Sequence, residues 1–133
     1  MAGKRESDKP LSGARILIAE DEILIALDIE ATLLDAGAEV IGPCPTVVGA
    51  LEAVGTEEPS FAILDIRLGS ETTKRIAELL TERCIPFLFY TGQALPEEMA
   101  TLCNEVVVIA KPAAPQELVA AMAKSLFKPT VDL

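Results

Sequence analysis

Short apolar runs alternate with longer amphipathic segments along most of the chain. The runs are nearly continuous in apolar residues, which is typical of strands buried on both faces of a parallel sheet. They predict five strands, at residues 16–19, 39–42, 61–64, 87–90 and 106–110. The second run is the weakest, because Pro43 and Pro45 follow it closely and cannot donate to a sheet.

The segments between the runs carry apolar residues at helical spacing. The first predicted helix begins after Glu22 and ends near Gly37. The second begins after Thr46, a residue type that caps helices, and ends at Gly55. The other three are predicted around residues 76–80, at 96–103 and at 115–127.

This alternation predicts an α/β fold, a doubly wound five-stranded parallel sheet with helices on both faces. We expect one domain over residues 14–128, a flexible N-terminal tail at 1–13 and a C-terminal tail at 129–133. The first residues lack the apolar run of a signal peptide. Because no segment reaches the roughly 20 apolar residues of a membrane span, we expect no membrane association.

The composition removes several kinds of chemistry. The 133 residues include no histidine, which excludes Ser–His–Asp triads, Cys–His pairs and imidazole metal sites. The net charge of −10 argues against nucleic-acid binding. Three widely spaced cysteines, Cys44, Cys84 and Cys103, favour reduced thiols and a cytoplasmic protein over a disulfide framework.

Polar residues stand at the carboxyl ends of four predicted strands. Glu20 and Asp21 follow the first strand, Asp65 follows the third, Thr91 follows the fourth and Lys111 follows the fifth. In open α/β sheets, ligands bind outside the carboxyl ends of the strands, where the strand order reverses. We therefore expect these side chains to converge in one shallow cleft.

The residue types at these positions point to phosphoryl chemistry. Clustered carboxylates repel one another unless a cation lies among them, and oxygen ligands of high negative charge favour Mg²⁺. A carboxylate nucleophile, a metal, a lysine and a hydroxyl together predict an aspartyl-phosphate site. Taken singly, Asp21 is more often a helix cap and Lys111 a solvated charge. That explanation requires four independent coincidences at four strand ends.

Four short motifs in this order resemble the receiver domain of two-component response regulators. They are I-L-I-A-E-D-E at residues 16–22, I-L-D-I at 63–66, Y-T-G at 90–92 and A-K-P at 110–112. Each motif is weak alone, but all four end predicted strands within residues 14–128. The resemblance implies the flavodoxin-like strand order 2-1-3-4-5.

The resemblance also implies a role for each site residue. Asp65 would accept a phosphoryl group from a histidine kinase or a phosphotransfer protein. Asp21, Asp65 and the backbone carbonyl of Arg67 would hold Mg²⁺, with Glu20 acting through water. Lys111 would pair with a phosphoryl oxygen.

The switch that reports phosphorylation is likewise implied by the resemblance. The Thr91 hydroxyl would move to the phosphoryl group and pull its loop along. Gly92 would leave room for that group and Gln93 would border it. Pro112 would follow Lys111 through a cis peptide bond.

The chain departs from the commonest receivers on two strands. Val108 occupies the place of the fifth-strand aromatic switch residue, three positions before the lysine. Residues 86–92 instead resemble an atypical, often stand-alone subfamily with a Phe-Ala-Thr-Gly-x-Tyr fourth strand, and Leu68-Gly69 fits the same subfamily. In that motif Tyr90 takes the alanine place and Ala94 takes the place of the final tyrosine.

These observations predict a single-domain response regulator that is not a turnover enzyme and that signals through a downstream protein target. A homodimer is left open. The alternative is a receiver-like module that binds its partner constitutively without phosphate, and the complete set of site residues argues against it. A phosphatase with an aspartyl nucleophile usually needs a second carboxylate two positions on, where this chain has Arg67.

The side chain of Arg67 has two interpretations. It could shield an acyl phosphate on Asp65 from water and lengthen its lifetime, or it could be a solvated loop cation. The sequence favours neither.

Overall fold

The computed structural model describes residues 9–100 and 106–127. The strands of this part of the chain are β1 (Arg15–Ala19), β2 (Glu39–Cys44), β3 (Phe61–Leu64), β4 (Arg67–Leu68), β5 (Glu71–Thr72), β6 (Phe87–Thr91) and β7 (Val107–Ala110). The five longer strands form a parallel sheet in the order β2-β1-β3-β6-β7. Counted over those strands, this is the predicted order 2-1-3-4-5, and the predicted fold class is confirmed.

Helices cover both faces of the sheet. Within the described residues they are α1 (Ile23–Asp35), α2 (Val47–Glu57), α3 (Lys74–Glu82), α4 (Glu97–Ala100) and α5 (Pro115–Leu126). Buried residues of α1 and α5 form one apolar layer with the sheet, and those of α2, α3 and α4 form the other. In this part of the chain no helix combines the length and hydropathy needed to span a bilayer.

Alternation along the strands divides the core between these two layers. In β6, Phe87 and Phe89 face α2 and α3, whereas Leu88 and Tyr90 face α1 and α5. Successive side chains of a strand point to opposite faces of the sheet. The continuous apolar runs therefore reflect burial on both faces.

The ends of the first two helices were predicted with different success. Thr46 caps α2 by accepting a hydrogen bond from the Gly49 amide at 3.1 Å, as predicted. The chain turns near Gly37 after α1, also as predicted. However, Gly55 does not end α2, which continues to Glu57 and ends where Glu58 adopts a left-handed conformation.

Strand β2 continues past its predicted end at Gly42 and includes Pro43. It is an edge strand, where a residue without an amide proton is tolerated. Gly42 has φ +94°, and a Cβ atom there would lie 2.7 Å from the Cys44 nitrogen. A glycine at this position is what allows the strand to bend and continue.

Two other segments differ from the prediction. The expected loop around Gly69 is a hairpin of β4 and β5. Of the helix expected at 96–103, the structure describes Glu97–Ala100 as α4, and residues 101–103 of that prediction lie outside the described residues. The fold also begins earlier than residue 14, because Leu11 is fully buried and donates from its amide to the Ala36 carbonyl at 2.9 Å. The rest of the expected tails, residues 1–8 and 128–133, lies outside the described residues.

Candidate functional site

Three carboxylates converge at the carboxyl edge of the sheet. Glu20 and Asp21 follow β1, and Asp65 follows the neighbouring β3. One carboxylate oxygen from each residue lies within 4.8 Å of the other two. The sequence-based expectation that these residues meet agrees with this geometry.

Lys111 joins this cluster from β7, two strands away from β3. Its ammonium donates to Glu20 Oε1 at 2.7 Å and to Asp65 Oδ2 at 2.9 Å. All three side chains are largely buried, with exposed fractions of 13% for Lys111, 2% for Glu20 and 13% for Asp65. The sequence predicts that the ammonium faces an anion, and in the described part of the chain it contacts these two carboxylates.

Burial and charge act in opposite directions on the two ends of this ion pair. Burial raises the pKa of Glu20, and the hydrogen bond and positive charge of Lys111 offset only part of that effect. Burial would lower the pKa of Lys111, but its hydrogen bonds to Glu20 and Asp65 and their charges raise it above the usual value. Each group thus depends on the other for its charge in this partly dry environment.

Asp21 connects the cluster to the hairpin that follows Asp65. Its Oδ2 accepts a hydrogen bond from the Gly69 amide at 2.8 Å. Asp21 is not the N-cap of α1: that position belongs to Glu22, whose side chain makes no capping hydrogen bond. Asp21 therefore does not cap helix α1, which is the common alternative role for an acidic residue just before a helix.

The Asp65 carboxylate is held from two directions. Its Oδ1 accepts from the Ile66 amide at 2.7 Å, while Oδ2 accepts from Lys111. Its backbone carbonyl accepts from the Thr73 hydroxyl at 2.7 Å. Thr73 is fully buried, and its hydroxyl also lies 3.1 Å from the Ile66 carbonyl, so it fixes the turn that carries Asp65.

Thr91 lies at the end of β6 and is almost completely buried. Its hydroxyl accepts a hydrogen bond from the Gln93 amide at 3.2 Å, and its carbonyl accepts from the Lys111 amide at 2.9 Å. The space beside the Gly92 Cα is open. The Lys111–Pro112 peptide bond is cis, as expected.

Two further predicted positions lie at the border of the site. Arg67 lies on β4 with its side chain exposed to solvent. That its backbone carbonyl binds a metal ion stays a prediction. Val108, in the place of an aromatic switch residue, is 46% exposed on β7.

The donor set fits a hard divalent cation. Three carboxylates against one ammonium leave two negative charges unbalanced at the edge of the sheet. Mg²⁺ takes oxygen ligands and is commonly held by one or two carboxylates, water and phosphate oxygens. Glu20, Asp21 and Asp65 can supply such oxygens.

Sequence reasoning missed two residues that organise the site, Thr73 and Tyr90. Tyr90 was noted only as a departure from a motif, yet its hydroxyl accepts from the Ala113 amide at 3.0 Å. Thr73 directly precedes α3, and a threonine before a predicted helix was a usable signal. The sequence did not show that its hydroxyl turns back to the Asp65 carbonyl.

Comparison with known proteins gives the family. No family model matches the chain. It is 36% identical over 117 residues to the phyllosphere-induced regulator PhyR of Methylorubrum extorquens, covering 84% of this chain. Its fold superposes on the receiver domain of the PhyR response regulator of Erythrobacter litoralis with a TM-score of 0.73 and 27% identity, covering 91% of this chain and 98% of that one. The chain is a response-regulator receiver domain.

The relatives are mostly longer than this receiver domain. It spans 43% of the length of the Methylorubrum PhyR. It also superposes on the anti-anti-sigma factor PhyR of Bartonella quintana with a TM-score of 0.72 and 28% identity, over 86% of this chain and 47% of that one. The receiver assignment therefore concerns the shared domain. Assignment to the subfamily with the Phe-Ala-Thr-Gly-x-Tyr motif stays a prediction.

The buried Thr73 hydroxyl gives a first prediction. Thr73→Val keeps the shape of the side chain but leaves the Asp65 carbonyl without this donor, so we expect the free energy of unfolding to fall by about 1–3 kcal/mol. Thr73→Ser restores the hydroxyl and should recover most of the loss. Urea denaturation followed by circular dichroism measures all three proteins.

Thr81→Val is the matched control, because the Thr81 hydroxyl donates only along its own helix to the Ala77 carbonyl. We expect it to change the free energy of unfolding by no more than about 0.5 kcal/mol. Equal losses for Thr73→Val and Thr73→Ser would show that the hydrogen bond to Asp65 contributes nothing.

Proposed function

We propose that this receiver domain accepts a phosphoryl group on Asp65 from a histidine kinase or a phosphotransfer protein, in a reaction that requires Mg²⁺. The observation that carries the proposal is the joining of Asp65 to Glu20 and Asp21 in one acidic cluster with Lys111 between them. The cluster combines a nucleophile, oxygen ligands for a cation and an ammonium for phosphoryl oxygens. In this proposal Asp65 is itself the phosphoryl acceptor, and the domain is not a turnover enzyme.

The transfer moves the phosphoryl group from nitrogen to oxygen. A carboxylate oxygen of Asp65 attacks the phosphorus of a phosphohistidine, the P–N bond breaks, and its electron pair returns to the imidazole. Asp21, Asp65 and the backbone carbonyl of Arg67 would hold Mg²⁺, with Glu20 acting through water, and the bound cation would supply positive charge to the phosphoryl oxygens. The amide of Ile66 holds the Asp65 carboxylate in place through Oδ1.

Lys111 is suited to stabilise the transferred group. An ammonium has three N–H donors, and Lys111 directs two of them to Glu20 and Asp65. The third donor would be available to a phosphoryl oxygen on Asp65. The low exposure of these side chains strengthens each of these interactions.

Thr91 supports the proposed response to phosphorylation. Its hydroxyl oxygen accepts from Gln93, so its own proton is available for donation to a phosphoryl oxygen. A movement of this hydroxyl would break or lengthen the Gln93 contact and shift the loop after β6. The outcome is a changed protein surface, which we propose as the output of the domain.

The surface beside the acidic cluster suits a protein partner. Ile23, Leu24 and Leu27 at the start of α1 are 66%, 79% and 49% exposed. A donor protein that brings a phosphohistidine to Asp65 has to dock at this edge of the sheet. On docking there, its surface can cover these exposed side chains. The Bartonella relative is an anti-anti-sigma factor, and we propose a protein target here too.

Composition supports the proposed setting. Within the described residues, Cys44 and Cys84 are free thiols, which favours a reducing compartment, and we propose the cytoplasm. The alternative is a receiver-like module that binds its partner constitutively without phosphate. The mass measurement described next distinguishes this module from a phosphoacceptor.

Mass spectrometry tests the proposal directly. We expect the protein incubated with Mg²⁺ and acetyl phosphate to gain about 80 Da, the mass of one HPO₃ unit. Asp65→Asn should abolish the gain, because an amide is not a nucleophile towards phosphorus. A chelator of divalent cations should abolish it in the parent protein.

Asp35→Asn serves as the control for loss of one acidic residue, because Asp35 lies exposed at the end of α1. This variant should gain the same mass as the parent. A gain that persists in Asp65→Asn would place the phosphoryl group elsewhere. Absence of any gain with acetyl phosphate and with histidine kinases would favour the constitutive binding module.

A third prediction concerns the lifetime of the phosphorylated state. We propose that the exposed Arg67 side chain, two residues after Asp65, shields the acyl phosphate from water. Arg67→Ala should then lose phosphate faster than the parent, by roughly threefold or more. The reason is that a side chain that excludes water from the acyl phosphate slows its hydrolysis. The measurement is the decay of the phosphorylated mass after the donor is removed.

Arg75→Ala is a suitable control, because it removes an equal charge from the exposed surface of α3. It should leave the decay unchanged. An unchanged or slower decay in Arg67→Ala would show that Arg67 is a solvated loop cation.

A further inference from the structure

Tyr90 lies beside Lys111 because of the register of the sheet. It pairs with Ile109 of the neighbouring strand β7. Side chains two residues apart on a strand share a face, and diagonal neighbours across a strand pair lie within reach of an aromatic ring. Lys111 is two residues beyond Ile109, so its side chain is expected on the same face of the sheet as the Tyr90 ring.

Tyr90 contacts both ends of the segment that carries the lysine. The Lys111 ammonium lies over the ring, 5.7 Å from its centroid. The Tyr90 hydroxyl accepts from the Ala113 amide at 3.0 Å. One buried side chain thus holds the ammonium of residue 111 and the backbone of residue 113.

We propose that Tyr90 is a positioning residue for Lys111. The Tyr90 ring holds the Lys111 ammonium, and the Tyr90 hydroxyl holds the loop at Ala113. Together these contacts keep the ammonium between Glu20 and Asp65. The consequence for phosphoryl transfer rests on the proposed function. The contacts themselves do not depend on it.

The physical need for such a residue follows from the lysine side chain. Lysine has a flexible four-carbon stem and no planar group that would fix its direction. Glu20 and Asp65 attract the ammonium from one side, and the face of an aromatic ring attracts it from another. The ring does so without occupying a carboxylate oxygen that a cation could bind.

A purely structural role for Tyr90 makes different predictions. The ring is part of the apolar layer formed with α1 and α5, and a buried tyrosine hydroxyl usually finds a partner. In that case its loss would lower stability, and the phosphorylation rate would fall no further than it does in a variant that loses another buried aromatic ring of the same strand. Phe89→Leu is the matched control, since Phe89 is a fully buried aromatic of the same strand facing the other layer.

Nuclear magnetic resonance tests the contacts in protein without Mg²⁺ or phosphoryl donor. The Cε protons of Lys111 should resonate upfield in the parent protein and in Tyr90→Phe, because both carry the ring. They should move downfield in Tyr90→Leu but not in Phe89→Leu. The Ala113 amide proton should shift in Tyr90→Phe, which lacks the hydroxyl.

Phosphorylation kinetics test the consequence. At saturating Mg²⁺ and acetyl phosphate, Tyr90→Leu should react roughly tenfold more slowly than the parent, because a displaced catalytic group loses most of its effect. Tyr90→Phe should lie between the two, and Phe89→Leu should match the parent. Tyr90→Met replaces Tyr90→Leu if circular dichroism shows that the latter is unfolded.

The two kinds of failure are distinguishable. Lys111 resonances that are the same in the parent and in the folded Tyr90 variant would overturn the positioning role. So would equal losses of rate in that variant and in Phe89→Leu. A ring-dependent Lys111 shift in a parent protein that takes no phosphate would leave the contact intact and reject the proposed function.

Discussion

The ammonium of Lys111 between Glu20 and Asp65 is the interaction on which the site depends. It brings β7 to the acids of β1 and β3 across the edge of the sheet. Removing one partner of a buried ion pair typically costs about 3–5 kcal/mol, because the other charge is left in a dry environment. The lysine therefore balances only part of the charge of the cluster, and net negative charge remains at the carboxyl edge of the sheet.

Residues on neighbouring elements hold the groups of this cluster in place. The Gly69 amide holds Asp21, the Thr73 hydroxyl holds the Asp65 carbonyl, and Tyr90 borders Lys111. Side chains held by packing and second contacts are more precisely placed than those on free loops. The hairpin after Asp65 and the loop after β7 are thus part of the site.

The sequence predicted the five strands of the parallel sheet and the meeting of Glu20, Asp21, Asp65 and Lys111, because apolar runs and parallel topology determine both. It did not predict the hairpin after Asp65, which is held by the contact between Gly69 and Asp21, 48 residues apart in the chain. It also misplaced the end of α2, since a glycine permits a helix to end without requiring it. Contacts such as Thr73 with Asp65 depend on side-chain directions that periodicity does not encode.

We propose that the three carboxylates and Lys111 form one cation-binding cluster at the carboxyl edge of the sheet. Broadening of amide resonances by Mn²⁺, a paramagnetic substitute for Mg²⁺, tests it most directly. We predict that the amides of Asp21, Ile66 and Gly69 broaden first, and that those at the opposite edge, such as Ser60, stay sharp. Uniform broadening, or broadening that begins at another acidic surface, would contradict the account.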